Sequence, residues 1–411
     1  MTGVVVTGIG EVTPLGIGAE TFWEGLTAGR SGIRRIQHFD PSALPVTIGG
    51  EVPGFVPGDF MDVKAARRMD RFAQIGVAAA RQAIENAGLV IDDHNRERIG
   101  VVMNTGGGGI WTIESNVTSM VNQGPNRVSP FLIPMFAPNM ASSQVSITFG
   151  AKGPVVTSVA ACAAGIQAWI DAVHILQRGD ADVLIVGGTE AALSPVSIAG
   201  LANMGALSKR NDDPEAASRP FDLGRDGFVF GEGSAVMILE TEEHAVRRGA
   251  RAIARAHGGA YTSDAVHITA PDAAGAGAAR AMQGAMKRAG LRPDQIQYVA
   301  AHATATPLGD IAETRAIKRA FGDAAAGLAI SANKSMIGHL LGAAGAVSGL
   351  ACVLAIRDGI VPPTINLTDP DPECDLDYTP NVARRLTVRA ALANGFGFGG
   401  QNACAAFTAI E

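Results

Sequence analysis

The sequence is short of aromatic residues and of charge. Of its 411 residues only 5% are Phe, Trp or Tyr and 18% are Asp, Glu, Lys or Arg. Sparse aromatics exclude an extended base-stacking platform. A net charge of −6 excludes a global basic field for nucleic acid, so an anionic partner must be met by a local patch. Cysteine is scarce as well. Cys162, Cys352, Cys374 and Cys404 lie far apart, with no CxxC pair and no Cys/His zinc spacing. A reducing cytoplasm is the simplest setting for them. The opening MTGVVVTGIGEVTPLG lacks the basic region of a secretory signal and reads as a strand followed by a Gly-rich turn.

What is present is apolar and small: 47% hydrophobic residues and 51 glycines. At roughly 150 residues per domain the length suggests two to three domains or one two-part unit, with enough chain to bury a substantial core. One run stands out, NKSMIGHLLGAAGAVSGLACVLAI at 333–356. Its hydropathy suits a membrane span, and Gly338, Gly342, Gly345 and Gly349 permit close helix approach. The same features suit a helix buried in a soluble core, which the surrounding α/β pattern favours.

Along the chain, apolar β-rich runs alternate with helical ones. Strands are expected at 4–10, 98–107, 154–162, 182–188 and 233–240, and helices at 69–88 and 162–179. In the latter, Ile166, Trp169, Ile170 and Val173 follow i, i+3, i+4, i+7 spacing. The pattern resumes with a helix at 278–290, a strand into AHATAT, a helix opened by a capping box at Asp310 and Glu313, the greasy helix, and a final strand pair. Such alternation implies α/β layers in two blocks, 1–250 and 251–411.

Four residues carry local chemical signals. Cys162 stands where a strand turns into a helix among small neighbours. Backbone N–H groups there can depress a thiol pKa, although buried structural cysteines are common. His302 ends an apolar strand, with Thr304 and Thr306 at alternating positions. A core histidine is the competing reading. His339 lies one turn inside the greasy segment, where a ring nitrogen must find a partner, and Lys334 shares that difficulty. NGFGFGGQN (394–402) has GxGxGG spacing, unlike a dinucleotide fingerprint, and suits a mobile loop that swings an aromatic side chain. A thiol, two imidazoles and an amine near element ends fit covalent thioester chemistry.

SVAACAAG around Cys162, AHATATPLGD around His302, NKSMIGHLLGAAGAV around Lys334 and His339, and NGFGFGGQN resemble the β-ketoacyl-acyl-carrier-protein synthases, closest to the elongating type II kind. NDDPEAASRPFDLGRDGFVFGEG (211–233) and PPTINLTDPDPECDLD (362–377) extend the resemblance over essentially the whole chain. It implies a duplicated thiolase-like fold layered αβαβα, usually a homodimer, and a decarboxylative Claisen condensation in fatty acid elongation. It implies Cys162 as nucleophile, with His302 and His339 donating to the malonyl thioester carbonyl. The N–H groups of Cys162 and Phe398 would form the oxyanion hole, and Phe398 would also be the gate. Lys334 would support the histidines, with Asp310 and Glu313 nearby. Thr304, Thr306, Gly107 and Phe228 would meet substrate. Lys64, Arg67, Arg68 and Arg127 would receive the acyl-carrier protein, although a solvated helix face is the plainer reading of the basic run. No metal or organic cofactor is required, because the departing CO2 supplies the carbanion.

Departures mark this chain. Ser348 stands where the family usually has a Glu of the Lys network and of a structural cation site, and Ala300 stands where an Asn is usual. HGTSTP has become HATATP. Gly107 replaces an Ile that often lines the acyl pocket, which suggests a roomier or differently shaped channel. A polyketide-type ketosynthase shares the same chemistry. A non-catalytic chain-length-factor-like subunit would lack the Cys. A degradative thiolase would carry a second catalytic Cys near its C-terminus, a position at which Cys404 is the candidate.

Overall fold

A computed structural model describes residues 2–410. Ten strands carry the fold: β1 (Val4–Thr13), β2 (Ile99–Asn104), β3 (Val155–Val156), β4 (Val183–Glu190), β5 (Gly233–Thr241), β6 (Ala254–Ser263), β7 (Tyr298–Ala300), β8 (Ala329–Ser331), β9 (Ala390–Gly397) and β10 (Gln401–Thr408). Hydrogen bonds link them in the order β8-β7-β9-β10-β6-β1-β5-β4-β2-β3. The order is a palindrome, because each strand of the first five matches the one five places later. β1 and β6 meet only at Val5↔Arg255 and Val6↔Ala254. The path is thus two five-stranded half-sheets joined at a narrow seam.

The helices that matter to the site are α1 (Val63–Ala66), α2 (Arg71–Asn86), α3 (Ile110–Gln123), α4 (Ala164–Arg178), α5 (Ala276–Ala289), α6 (Pro307–Phe321), α7 (Lys334–Ile337) and α8 (Ala344–Asp358). Three hydrophobic cores separate the layers. The central one joins α4 and α8 to strand residues of both half-sheets. The second packs α2 on the outer face of β1, β2, β4 and β5. The third packs α5 and α6 on the outer face of β7 to β10. The layers therefore run α, β, α, β, α, the thiolase-like arrangement.

The central helices explain the apolar patterning. Ile166, Trp169, Ile170 and Val173 of α4 are all buried, and every residue of α8 from Ala344 to Ala355 is buried. Residues Leu341–Asp358 are long and apolar enough to cross a membrane, yet 78% of them are buried inside the protein. A helix covered on every side needs no polar face. The two helices cross where their glycines meet. A Cβ on Gly165 would lie 2.3 Å from Ala346 N, and one on Gly345 would lie 2.6 Å from Ile166 N.

Two sequence expectations change. The run from Met336 is not one helix: α7 stops at Ile337, Gly338 takes φ +73, and a tight turn at Leu341–Ala343 precedes α8. His339 lies in that break, with its N–H donating to Val229 O at 2.7 Å. Asp310 and Glu313 do not open α6. Thr306 is its N-cap, accepting from Gly309 N at 3.2 Å, and the buried carboxylates of Asp310, in the first turn, and Glu313, in the second, accept from other segments instead.

Candidate active site

Cys162 sits in a tight turn, Ala161–Ala163, at the N-terminus of α4. Ala161 is held at φ +47, a left-handed conformation that costs an alanine about 1–2 kcal/mol. The turn sets the thiol beside the β9–β10 loop, near enough for the backbone N–H groups of Phe398 and of Cys162 itself to pull its pKa downward. Gly397 lets the loop pass, because a Cβ there would lie 3.0 Å from Cys162 N. The expected depressed thiol is not found. Burial pushes Cys162 up to about 12, outweighing the Lys334 charge and the two N–H groups. The resting nucleophile is a neutral thiol.

His302 and His339 face each other edge to face with ring centroids 5.4 Å apart. Phe228 abuts His339 at 5.2 Å, and Phe396 abuts His302 at 5.5 Å. Burial holds both imidazoles well below the ordinary range, and the Lys334 charge pushes them the same way. Both are therefore neutral and each can donate one N–H. His339 Nδ1 is buried without a partner. Lys334, 3% exposed, is lowered to about 8 by burial against the pull of Glu313, Cys162 and Asp310. Its charge acts on Cys162 and on both histidines, so α7 brings the amine to the middle of the group.

Buried carboxylates hold the His302 strand end. Glu313 accepts from His302 N at 2.9 Å, Ala303 N at 2.7 Å and Asn394 Nδ2 at 3.0 Å. Asp310 accepts from Ala305 N at 3.1 Å and Phe221 N at 2.8 Å. Arg225 spans the loop, donating to Thr306 O, Pro307 O and Asp371. Ala303 (φ +30) and Ala305 (φ +63) are strained here, at positions where the HGTSTP pattern has a Gly and a Ser. The carboxylates and Arg225 restrain the strained segment.

Of the remaining expected residues, Phe398 is partly exposed at the loop tip. Thr304 and Thr306 face each other with hydroxyls 3.2 Å apart, but that of Thr306 is shared with the α6 cap. Gly107 has no empty space beside it. A Cβ there would meet Ile110 Cδ1 at 2.8 Å, so the missing side chain does not leave an open space. Lys64, Arg67 and Arg68 lie exposed on α1 and the turn after it, and Arg127 is exposed after α3. Phe131 joins the two segments, with the Arg68 guanidinium 5.0 Å over its ring. Sequence reading missed Phe396, Asn394, Arg225 and Glu190. Glu190 left a trace: it is the only charge in the otherwise apolar or small run VLIVGGTE.

Ser348 and Ala300 are both buried and supply no carboxylate, and no group of three or more His, Cys, Asp or Glu side chains able to hold a metal occurs among the described residues.

Palindromic half-sheets around a central helix pair, with a Cys, two neutral His and a Lys gathered on the turns and loops at the element ends, define a ketosynthase of thiolase-like fold. Residues 1–245 match the model "Beta-ketoacyl synthase, N-terminal domain" and residues 253–368 match "Beta-ketoacyl synthase, C-terminal domain". The chain belongs to the β-ketoacyl synthase family. It is 52% identical to a 3-oxoacyl-[acyl-carrier-protein] synthase 2 of Synechocystis sp., over 98% of this chain and 97% of the relative. It is 48% identical to the protein of that name from Staphylococcus aureus, over 99% of this chain and 98% of the relative. Among solved structures, a β-ketoacyl synthase from Burkholderia phymatum superposes with TM-score 0.93 at 35% identity over the full length of both chains. A type II polyketide acyl-carrier protein in complex with its ketosynthase gives 0.92 at 33%, again over both full chains.

Proposed function

We propose that the chain is a 3-oxoacyl-acyl-carrier-protein synthase of the elongating type, working on Cys162. The observation that carries this is the close pass of the Phe398 loop over the Cys162 turn, where a Cβ on Gly397 would lie 3.0 Å from Cys162 N, together with two buried neutral imidazoles that face each other. In the first half-reaction Cys162 Sγ attacks an acyl thioester carbonyl. The developing oxyanion accepts from the two N–H groups, and the thiol proton leaves with the released pantetheine sulfur. In the second, a malonyl thioester loses CO2, and the enolate oxygen accepts from His302 and His339. Neutral donors suit a charge that grows only in the transition state. The enolate carbon then attacks the Cys162 thioester, and the departing sulfur takes up a proton. Lys334 sets the electrostatics of the group, with Asp310 and Glu313 holding the loop and the charge balance. Thr304 and Thr306 hold the pantetheine, and Phe228 and Gly107 line the substrate channel.

The blocks 1–250 and 251–411 are read as duplicated halves. Lys64, Arg67, Arg68 and Arg127 are read as the landing site for an acidic acyl-carrier protein. Exposed Ile113, Val117, Met120, Val121 and Ile133, together with edge-strand Val155, support a homodimer through this face. Free cysteines suit a cytoplasmic setting. Identity of 52% and 48% to proteins named for 3-oxoacyl-acyl-carrier-protein synthesis favours that substrate class over polyketides. Incubation with acyl-carrier proteins bearing different acyl groups, followed by mass spectrometry, tests the proposal. An acyl adduct on Cys162 and a 3-oxoacyl product after malonyl-carrier protein is added are expected. No adduct on Cys162 with any donor overturns it.

A further inference from the structure

Glu190 ends β4 fully buried, and its carboxylate is the acceptor for four donors from two separate segments. Oε1 accepts from Thr105 Oγ1 at 3.1 Å and Gly107 N at 3.3 Å. Oε2 accepts from Gly106 N at 2.7 Å and Gly342 N at 3.0 Å. The first segment is the Thr105–Gly109 run of four glycines that leads into α3. The second is the turn after His339. They lie so close that a Cβ on Gly342 would be 2.1 Å from Gly106 N and one on Gly106 would be 2.6 Å from Glu190 Oε2. Just beyond the run, the first turn of α3 is held by a second buried carboxylate, Asp70, which accepts from Thr112 N at 3.0 Å and Thr112 Oγ1 at 2.6 Å.

Four glycines in a row give a backbone little intrinsic preference for one shape. The glycine-run conformation therefore depends on what grips it. A glutamine at 190 would keep its oxygen for Gly106 N and Gly342 N and turn its NH2 toward the other pair. There the Thr105 hydroxyl can reverse to accept, but Gly107 N cannot.

We infer that Glu190 is a positioning residue: it fixes the glycine run that walls the acyl channel to the turn that carries His339, and so sets which acyl lengths reach Cys162. This rests on the proposed condensing activity and on the channel reading of Gly107. Burial raises Glu190 to about 7, and its four donors pull the other way, toward the ionised carboxylate.

The test compares wild type, Glu190→Gln and Thr105→Val for acylation of Cys162 by acetyl- and palmitoyl-carrier protein, with melting temperature as a check on folding. Expected for Glu190→Gln is a KM increase about tenfold larger for the palmitoyl than for the acetyl donor, the scale of one lost hydrogen bond to a carboxylate. Thr105→Val removes one donor and keeps the backbone, and about a threefold skew in the same direction is expected. Equal changes for both donors, or no change in either variant, overturn the inference. If Glu190→Gln does not fold, Thr105→Val decides alone. Failure of wild type to acylate Cys162 at all would instead refute the condensing reading, so the two failures are distinct.

Discussion

The turns before α4 and α8 are built alike and put to different use. Each is a three-residue tight turn, Ala161–Ala163 and Leu341–Ala343, and each opens with a left-handed residue, Ala161 at φ +47 and Leu341 at φ +42. Each feeds a 15-residue helix that ends on a left-handed glycine, Gly179 or Gly359. The register offset is 344 − 164 = 180 residues. At the second position the first turn has Cys162 and the second has Gly342. One turn presents a side chain to the loop of Phe398. The other presents only an N–H, to Glu190, because Gly106 leaves no room for more. The backbone plan is shared, and at the second turn position the chemistry divides between a thiol and a bare N–H.

Exchanging those residues is the strongest way to break the comparison. Cys162→Gly should leave the fold intact and lower acyl transfer by at least about 10³-fold, the scale for loss of a nucleophile. Gly342→Cys should fail on folding: a Cβ 2.1 Å from Gly106 N calls for a cost of about 3 kcal/mol or more, read as loss of soluble protein or a large drop in melting temperature. A Gly342→Cys variant that melts like wild type would show that the two turns are interchangeable. Next in size are Gly165→Ala and Gly345→Ala at the helix crossing. Each should cost about 1–3 kcal/mol in denaturant unfolding, and by similar amounts if the halves are equivalent.

Two buried carboxyls sharpen the contrast between held and unheld groups. Glu190 has four donors, whereas neither side-chain oxygen of Glu11 has a partner, and burial raises Glu11 well above the carboxylate range. A carboxyl with a raised folded pKa binds its proton more tightly in the folded state. Stability is therefore greatest below the unfolded value of 4.5 and falls as pH rises toward the folded value. Glu11→Leu should raise stability by about 1–3 kcal/mol at pH 8 and by less at pH 5, seen as a flatter plot of melting temperature against pH. An unchanged slope would mean that Glu11 has a partner in solution. The smallest effect expected is at Ala303, where Ala303→Gly should stabilise by no more than about 1 kcal/mol, strain relief being partly offset by unfolded-state entropy.

Much of the layering was legible because buried strands and the α4 stripe have clear periods. The motifs placed Cys162, His302, Lys334 and His339 in one family pattern, and the fold brings them together. What failed to show was conformational or long-range. The break at Gly338 is hidden inside a continuous apolar run, since hydropathy carries no φ angle. The raised thiol pKa does not show in the motif, because a helix N-terminus is a local signal whereas burial depends on the whole fold. The spacing of Asp310 and Glu313 suits a cap, but Thr306 starts the helix earlier and leaves both carboxylates free to accept from distant segments. Glu190 and Arg225 act on backbone groups far away in sequence, Asn394 acts on the distant Glu313 carboxylate, and no local pattern announces any of these contacts.

The central layer also constrains how the chain is made. α4 finds its cover in α8, and α8 leaves the ribosome 180 residues later. At ~5–20 residues per second that is a wait of about 10–35 s. During it the crossing face at Gly165 and the neighbouring Cys162 turn stand open on a nascent chain. The same close glycine contact that makes the finished core tight leaves the newborn half in need of temporary shelter.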